Sequence, residues 1–347
     1  FVCSATMCFS AALVFLSFLF FYICHSFGKL WGILVLSIVL SLWKLYMSVH
    51  TGLSHSSYSP GQWLLADTIL DGKPCNYSRC HDVWDWFCEH FNASINCLLT
   101  PENSEIPPEV LQWWLRLQRS HKGKQVQEII KHLFDILPSA RLQDTVPCGT
   151  CAVVGNSGRL KGSKYGGEID SHQFVLRMNT AQTVGFEDDV GTRTTHHFMY
   201  PESAVDLHPG IHLVLVPFKP LDLEWLASAF SSGAIQHTYK RVKQFVEGDK
   251  DKVLILNPAF LKYIWDNWTK HHGRYPSTGF IALIFAIHMC EQVSVFGFGA
   301  DSNGNWHHYW EKNRYAGAFR RTGVHDDVFE LGLIEKLSME GKVLFYK

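Results

Sequence analysis

Beyond residue 150 the chain alternates short apolar runs with longer stretches whose apolar residues recur at helical spacing. Seven runs have strand length: Cys151–Gly155, Phe174–Met178, Thr195–Tyr200, His212–Phe218, Lys252–Leu256, Gln292–Gly297 and Lys342–Tyr346. Helical stretches alternate with most of them, notably Asp222–Phe230, Pro258–Lys270 and Thr278–Cys290, and two more, Pro107–Ser120 and Gln125–Leu137, come before the first strand. Asn257-Pro258 joins a helix cap to a first-turn proline. This alternation predicts a three-layer, Rossmann-like α/β domain with a largely parallel seven-stranded sheet. Thr278–Cys290 is apolar on all sides, so the helix it forms is expected to be buried.

The amino-terminal pattern differs. Phe9–Cys24 and Leu30–Trp43 are almost wholly apolar and are separated by His25-Ser26-Phe27-Gly28-Lys29. Each is short for a spanning helix of about 20 residues but extends through its flanks. No small-residue cleavage site precedes a polar stretch until well past Trp43, which argues against a cleaved signal peptide. Residues 1–49 therefore read as a membrane anchor region, 50–70 as a short stem and 71–347 as one folded domain. Lys29 on the cytosolic side puts the carboxyl-terminal bulk in the lumen.

Composition adds exclusions. A formal charge of −1 leaves no basic face for nucleic acid. Nineteen histidines and twelve tryptophans are many, and aromatic side chains suit sugar rings as well as cores.

The candidate chemistry gathers where predicted strands end. Asn156-Ser157-Gly158 breaks the first strand in a turn of small residues, and the second strand ends at Asn179. Both amides then fall at the carboxyl edge of a parallel sheet, where open α/β sheets bind ligands. GNSG is neither GxGxxG nor GxxxxGK[ST]. A reductase using it for a dinucleotide lacks an acidic ribose ligand, since Asp170 lies before its strand. Ser277-Thr278-Gly279 opens the all-apolar helix, whose free N–H groups make a site for one phosphate. His307, His308 and Tyr309 follow the loop GFGADSNGNW, and His325 precedes a helix that starts near Asp326 and carries Glu330. A histidine at a helix start is expected to be held neutral by the dipole, while Asp326, Asp327 and Glu330 pull the other way.

The runs at 148–200, GRYPSTGF at 273–280 and HHYW…HDDVFE at 307–330 together resemble the motifs of glycosyltransferase family 29, the sialyltransferases, over roughly 71–347. The likeness is strongest to β-galactoside α2,3-sialyltransferases acting on Galβ1,3GalNAc. It implies a GT-A-like variant fold, a Golgi-anchored type II enzyme, CMP-sialic acid as donor, galactose-terminated glycoproteins or glycolipids as acceptors, and inversion at the sialyl carbon. It also implies His325 as general base, with His308 binding the leaving phosphate. Asn156, Asn179, Ser277, Thr278, Gly279, Gly299, Trp306 and His307 would contact the donor, and Tyr239 and Tyr275 the galactose. The alternative is an inactive relative that holds CMP-sugar or glycan without turnover.

No metal is expected. The Asp-x-Asp sequence, Asp249-Lys-Asp251, precedes a strand instead of following one, and a single phosphate can be met by histidine and hydroxyl donors. His196 and His197 lie within a strand and point to opposite faces. Seven cysteines lie beyond the hydrophobic segments, so oxidising surroundings leave one over. The resemblance pairs Cys151 with Cys290 and Cys75 with Cys80. It leaves Cys148 without its usual partner, because Tyr77 stands there, so Cys148 is expected to pair with Cys88 or Cys97. The remaining thiol is expected to link a homodimer. Asn76, Asn92 and Asn267 head glycosylation sequons.

Overall fold

The structure is a computed structural model; it describes residues 85–118, 125–138, 149–301, 303–312 and 323–347. The anchor region, the stem, Cys75, Asn76, Cys80 and Cys148 lie outside the described residues. No helix among the described residues is long and apolar enough to cross a membrane.

The strands are β1 Thr150–Val154, β2 Phe174–Met178, β3 His196–Met199, β4 His212–Leu215, β5 Val253–Ile255, β6 Gln292–Phe296 and β7 Leu344–Tyr346. They form one sheet of order β5-β4-β3-β2-β1-β6-β7. Each neighbouring pair is parallel. The expected sheet is thus present, parallel throughout the described residues. The helices are α1 Trp86–His90, α2 Pro108–Leu117, α3 Val126–Ile136, α4 Gly166–Ser171, α5 Glu187–Val190, α6 Pro220–Ala229, α7 Pro258–Tyr263, α8 Thr278–Met289 and α9 Asp327–Met339. The stretch expected to be helical through Lys270 leaves α-geometry after Tyr263 and closes in a π turn, Ile264–Trp268.

Alternation along β1 shows why both faces must be covered. Cys151 and Val153 belong to the larger apolar core, which contains all of buried α8 from Phe280 to Ile287. Ala152 and Val154 face a second core with Ile169, Val175, Val190, Phe296 and Tyr309. Successive side chains of a strand point to opposite faces, so apolar residues at every position require cover on both sides. The Cys151–Cys290 disulfide ties the start of β1 to the end of α8, across a sequence separation of 139 residues.

Strand order reverses at β1. The chain proceeds outward from β1 to β5, then returns to place β6 on the other side of β1. The crevice at the carboxyl ends of β1 and β6 is therefore the switch point of the sheet.

Candidate active site

Two adjoining cavities open at that edge. One, of about 230 Å³, lies over the ends of β1, β2 and β6, and its walls include Asn156, Asn179, Gly279, Gly299, Trp306 and His307. The other, of about 440 Å³, includes Tyr200, Glu202, Tyr239, Tyr275, Ser277, Thr278 and His325. Asn156, Asn179, Gly279 and His308 line both. All the donor, acceptor and catalytic residues expected from the sequence thus meet at one sheet edge.

The turn after β1 shapes the first cavity. A Cβ on Gly155 would stand 2.4 Å from the Gly297 carbonyl oxygen, so β1 and β6 leave the sheet in close backbone contact that only glycine allows. Ser157 Oγ donates to the Gly299 carbonyl at 2.6 Å. The following loop is braced by Asp301, whose Oδ1 accepts from the N–H groups of Asn303 at 2.9 Å and Asn305 at 2.8 Å. It then folds over the turn: Gly158 N–H donates to the His307 carbonyl at 2.8 Å, and Tyr309 N–H to that of Asn156 at 3.1 Å. Trp306, His307 and His308 are delivered to the crevice in this way.

The two asparagines present oxygen. Asn156 Nδ2 donates to the Met178 carbonyl at 3.1 Å, which fixes the amide's orientation because a carbonyl can only accept. Asn156 Oδ1, Asn179 Oδ1 and His307 Nδ1 are buried with no partner among the described residues. Buried polar atoms are almost always paired, so three orphans around one cavity mark places for ligand atoms. Asn179 sits at φ 58°, the left-handed region that asparagine tolerates. Its carbonyl accepts from His197 Nε2 at 2.6 Å. Burial holds His197 neutral by lowering its pKa to about 4, while His196, on the other face, stacks on His212 at 4.6 Å.

Ser277 caps α8, its Oγ accepting from Phe280 N–H at 3.1 Å. The same residue meets Glu330 twice, Ser277 N to Oε1 at 2.7 Å and Oγ to Oε2 at 2.5 Å. Sequence reasoning left Glu330 as one of the acids flanking His325. It is instead buried, its pKa pushed up to about 8 by loss of solvent, and it anchors the start of α8 to α9.

His325 Nδ1 lies 2.9 Å from the Tyr275 carbonyl. That oxygen can only accept, so Nδ1 carries the proton and Nε2 is the basic nitrogen. The pKa of His325 is lowered, as anticipated, but chiefly by burial. The residue stands before the N-cap Asp326, outside the first turn where the dipole acts. Asp326 caps Phe329 N–H at 3.1 Å and meets His272 at 3.2 Å, so its carboxylate is turned to other tasks. His308 Nδ1 pairs with Glu311 Oε1 at 2.9 Å, and its ring stacks on Trp310.

One group at the wall of the second cavity, which it reaches through Glu202, escaped sequence reasoning. Lys219 Nζ bridges Asp222 Oδ1 at 2.7 Å and Glu202 Oε1 at 3.1 Å, both carboxylates being essentially buried. Three charges spread over a loop and a helix start have no spacing signature.

Outside the site, Asp249 accepts from Asp251 N–H in a 3₁₀ turn leading into β5, at the sheet edge opposite the cavities. Cys88 is disulfide-bonded and Cys97 carries the free thiol, so one of the two is left over as expected. Asn92 is exposed, its Oδ1 accepting from Ser94 N and Oγ; Asn267 is half-buried within the π turn.

A crevice at a switch point, a helix start beside it and a buried histidine of fixed tautomer make a site suited to nucleotide-dependent group transfer. The sequence model of glycosyltransferase family 29 (sialyltransferase) matches residues 98–342, and the chain belongs to that family. The rat CMP-N-acetylneuraminate-beta-galactosamide-alpha-2,3-sialyltransferase 2 is 54% identical over 83% of this chain and 84% of its own. The human alpha-2,3-sialyltransferase 1 of the same naming is 49% identical over 80% of this chain and 84% of its own. A mammalian sialyltransferase crystallised in complex with Gal-beta-1-3GalNAc-ortho-nitrophenol superposes with a TM-score of 0.72 at 48% identity, covering 79% of this chain and 99% of that one.

Proposed function

We propose that the protein transfers N-acetylneuraminic acid from CMP-N-acetylneuraminic acid to the 3-hydroxyl of the terminal galactose in Galβ1,3GalNAc, with inversion at the anomeric carbon. The observation that carries this reading is the tautomer of His325, locked by the Tyr275 carbonyl in the cavity that also holds Tyr239 and adjoins the nucleotide crevice. The names of the relatives, and the disaccharide bound by the solved neighbour, supply the linkage and the acceptor.

In this reading His325 Nε2 takes the proton of the galactose 3-hydroxyl as its oxygen attacks the sialyl anomeric carbon. The bond from that carbon to the phosphate oxygen breaks on the opposite side, and CMP departs with the electron pair. His308, held through Nδ1 by Glu311, would meet the phosphate with the other edge of its ring, and the N–H groups at the start of α8 add their partial charge. No metal is assigned a role, since the helix start and His308 suit a single phosphate. Asn156 and Asn179, presenting oxygens, suit sugar hydroxyls of the donor better than its phosphate.

The first hydrophobic segments would anchor the chain in the Golgi membrane, with the catalytic domain in the lumen. The Cys151–Cys290 disulfide fits that oxidising compartment. Acceptors of this kind are carried by glycoproteins and glycolipids alike.

The test is transfer from CMP-N-acetylneuraminic acid to a panel of galactosides, with linkage and anomeric configuration read by NMR. An α2,3-linked product on Galβ1,3GalNAc is expected. An α2,6 product, or CMP release independent of acceptor, would overturn the assignment.

A further inference from the structure

We infer that Glu202 determines acceptor specificity by accepting, through Oε2, a hydrogen bond from a non-reacting hydroxyl of the acceptor glycan. The inference rests on the reading of the second cavity as the acceptor site. Glu202 lines that cavity together with His325, Tyr239 and Tyr275. Its side chain is only 1% exposed, yet Oε2 has no partner among the described residues.

The other oxygen explains why Oε2 is held in place. Oε1 accepts from Lys219 Nζ at 3.1 Å and from Thr238 Oγ1. Lys219 is fixed in turn by Asp222, which accepts at Oδ2 from the backbone N–H groups of Phe218 at 2.8 Å and Lys219 at 3.1 Å, at the start of α6. Phe218 also packs its ring against Tyr275 at 4.8 Å. The carboxylate therefore cannot swing its vacant oxygen toward another protein donor without breaking a buried ion pair. An oriented, desolvated carboxylate oxygen is a strong acceptor for a sugar hydroxyl, because that hydroxyl supplies the bond that water would otherwise make.

The arrangement also ties recognition to Tyr239. Thr238, bonded to Glu202, is its chain neighbour, and Lys219 Nζ lies 5.4 Å from the Tyr239 ring centre. The same cluster thus positions the aromatic wall against which a sugar ring packs. A site built to bond a hydroxyl discriminates strongly against an analogue lacking it, since the buried partner is then left unpaired.

The experiment measures kcat and KM of the wild type, Glu202→Gln and Glu202→Ala with the intact disaccharide and with analogues lacking one hydroxyl each, the 3-hydroxyl excepted. CMP affinity is titrated by calorimetry in parallel. For Glu202→Ala we expect kcat/KM on the intact acceptor to fall about 10- to 100-fold, mostly in KM, with CMP affinity unchanged. One deoxy analogue should lose a similar factor with the wild type and lose nothing further with the variant. Glu202→Gln, which keeps volume and an acceptor oxygen, should show the same pairing with a smaller loss and keeps the test open should the alanine variant not fold. If every deoxy analogue shows its full wild-type penalty in both variants, or if CMP affinity falls along with acceptor affinity, the inference is overturned. Absence of transfer to any galactoside by the wild type would instead remove the acceptor-site reading beneath it.

Discussion

In the mechanism proposed above His325 and His308 stand at the two ends of one transfer, so they should fail differently when removed. His325→Ala is expected to lower kcat by about 10²–10⁴-fold while leaving CMP affinity nearly intact, because the base has no contact with the nucleotide. His308→Ala should weaken CMP binding as well as turnover. Calorimetric CMP titration of both variants checks the division, and equal affinities would contradict it. The pH profile follows from burial. His325 must be neutral to accept a proton, and its pKa is lowered by burial, so activity should be lost only as pH falls below the ordinary histidine value of about 6.5. An acid limb above that value, in a pH–rate profile of kcat/KM, would count against His325 as the base. Glu330 has the opposite sign. Its folded pKa is raised to about 8, so its contribution to stability is present at acid pH and is lost as pH rises from the unfolded value toward about 8. Glu330→Gln, which cannot titrate but keeps partners for Ser277, should flatten the fall in unfolding midpoint over that window. Glu330→Ala should instead cost about 1–3 kcal/mol at acid pH by leaving Ser277 N and Oγ without their partner, a deficit that narrows as pH rises toward about 8.

Among the elements, the turn from β1 to Ser157 is the least tolerant of change. In Gly155→Ala the new methyl would overlap the Gly297 carbonyl, so β1 and β6 must part at the crevice proposed to take the donor. Loss of CMP binding together with a lower unfolding midpoint is expected, read by calorimetry and thermal melting. A variant that melts and binds like wild type would show that this contact is loose. The same element illustrates what the sequence discloses. β1, β2 and α8 were legible because burial on all sides leaves uninterrupted apolar runs, and Asn156 and Asn179 were legible because they end such runs. Family likeness, more than spacing, brought His308 and His325 forward. The cluster of Glu202, Lys219 and Asp222 was not legible, because each residue reads as an ordinary surface charge until the Thr238 loop closes over it. Glu330 was hidden similarly, a helical acid whose burial depends on meeting Ser277 from another element. The π turn at Ile264–Trp268 leaves no mark in apolar spacing, which continues through it.

For the whole molecule, the sheet separates the Asp-x-Asp turn from the cavities by its full strand length. Transfer activity should therefore survive EDTA, and activity abolished by EDTA and restored by Mn²⁺ would contradict the metal-free mechanism proposed above. A thiol-linked dimer would have to form through Cys97 among the described cysteines, and burial raises that thiol's pKa well above the ordinary range. Cys97 is expected to resist maleimide until the chain is unfolded; rapid labelling of the native protein, read by mass spectrometry, would contradict its burial. The strand order has one more consequence, for biosynthesis. β1 lies between β2, its immediate successor, and β6, which emerges from the ribosome nearly 140 residues later. At roughly 5–20 residues per second, that interval is about 7–28 s. Throughout it β1, an interior strand of the finished sheet, carries an unpaired apolar edge and Cys151 awaits its partner. The nascent chain must be kept from pairing that edge elsewhere until β6 arrives.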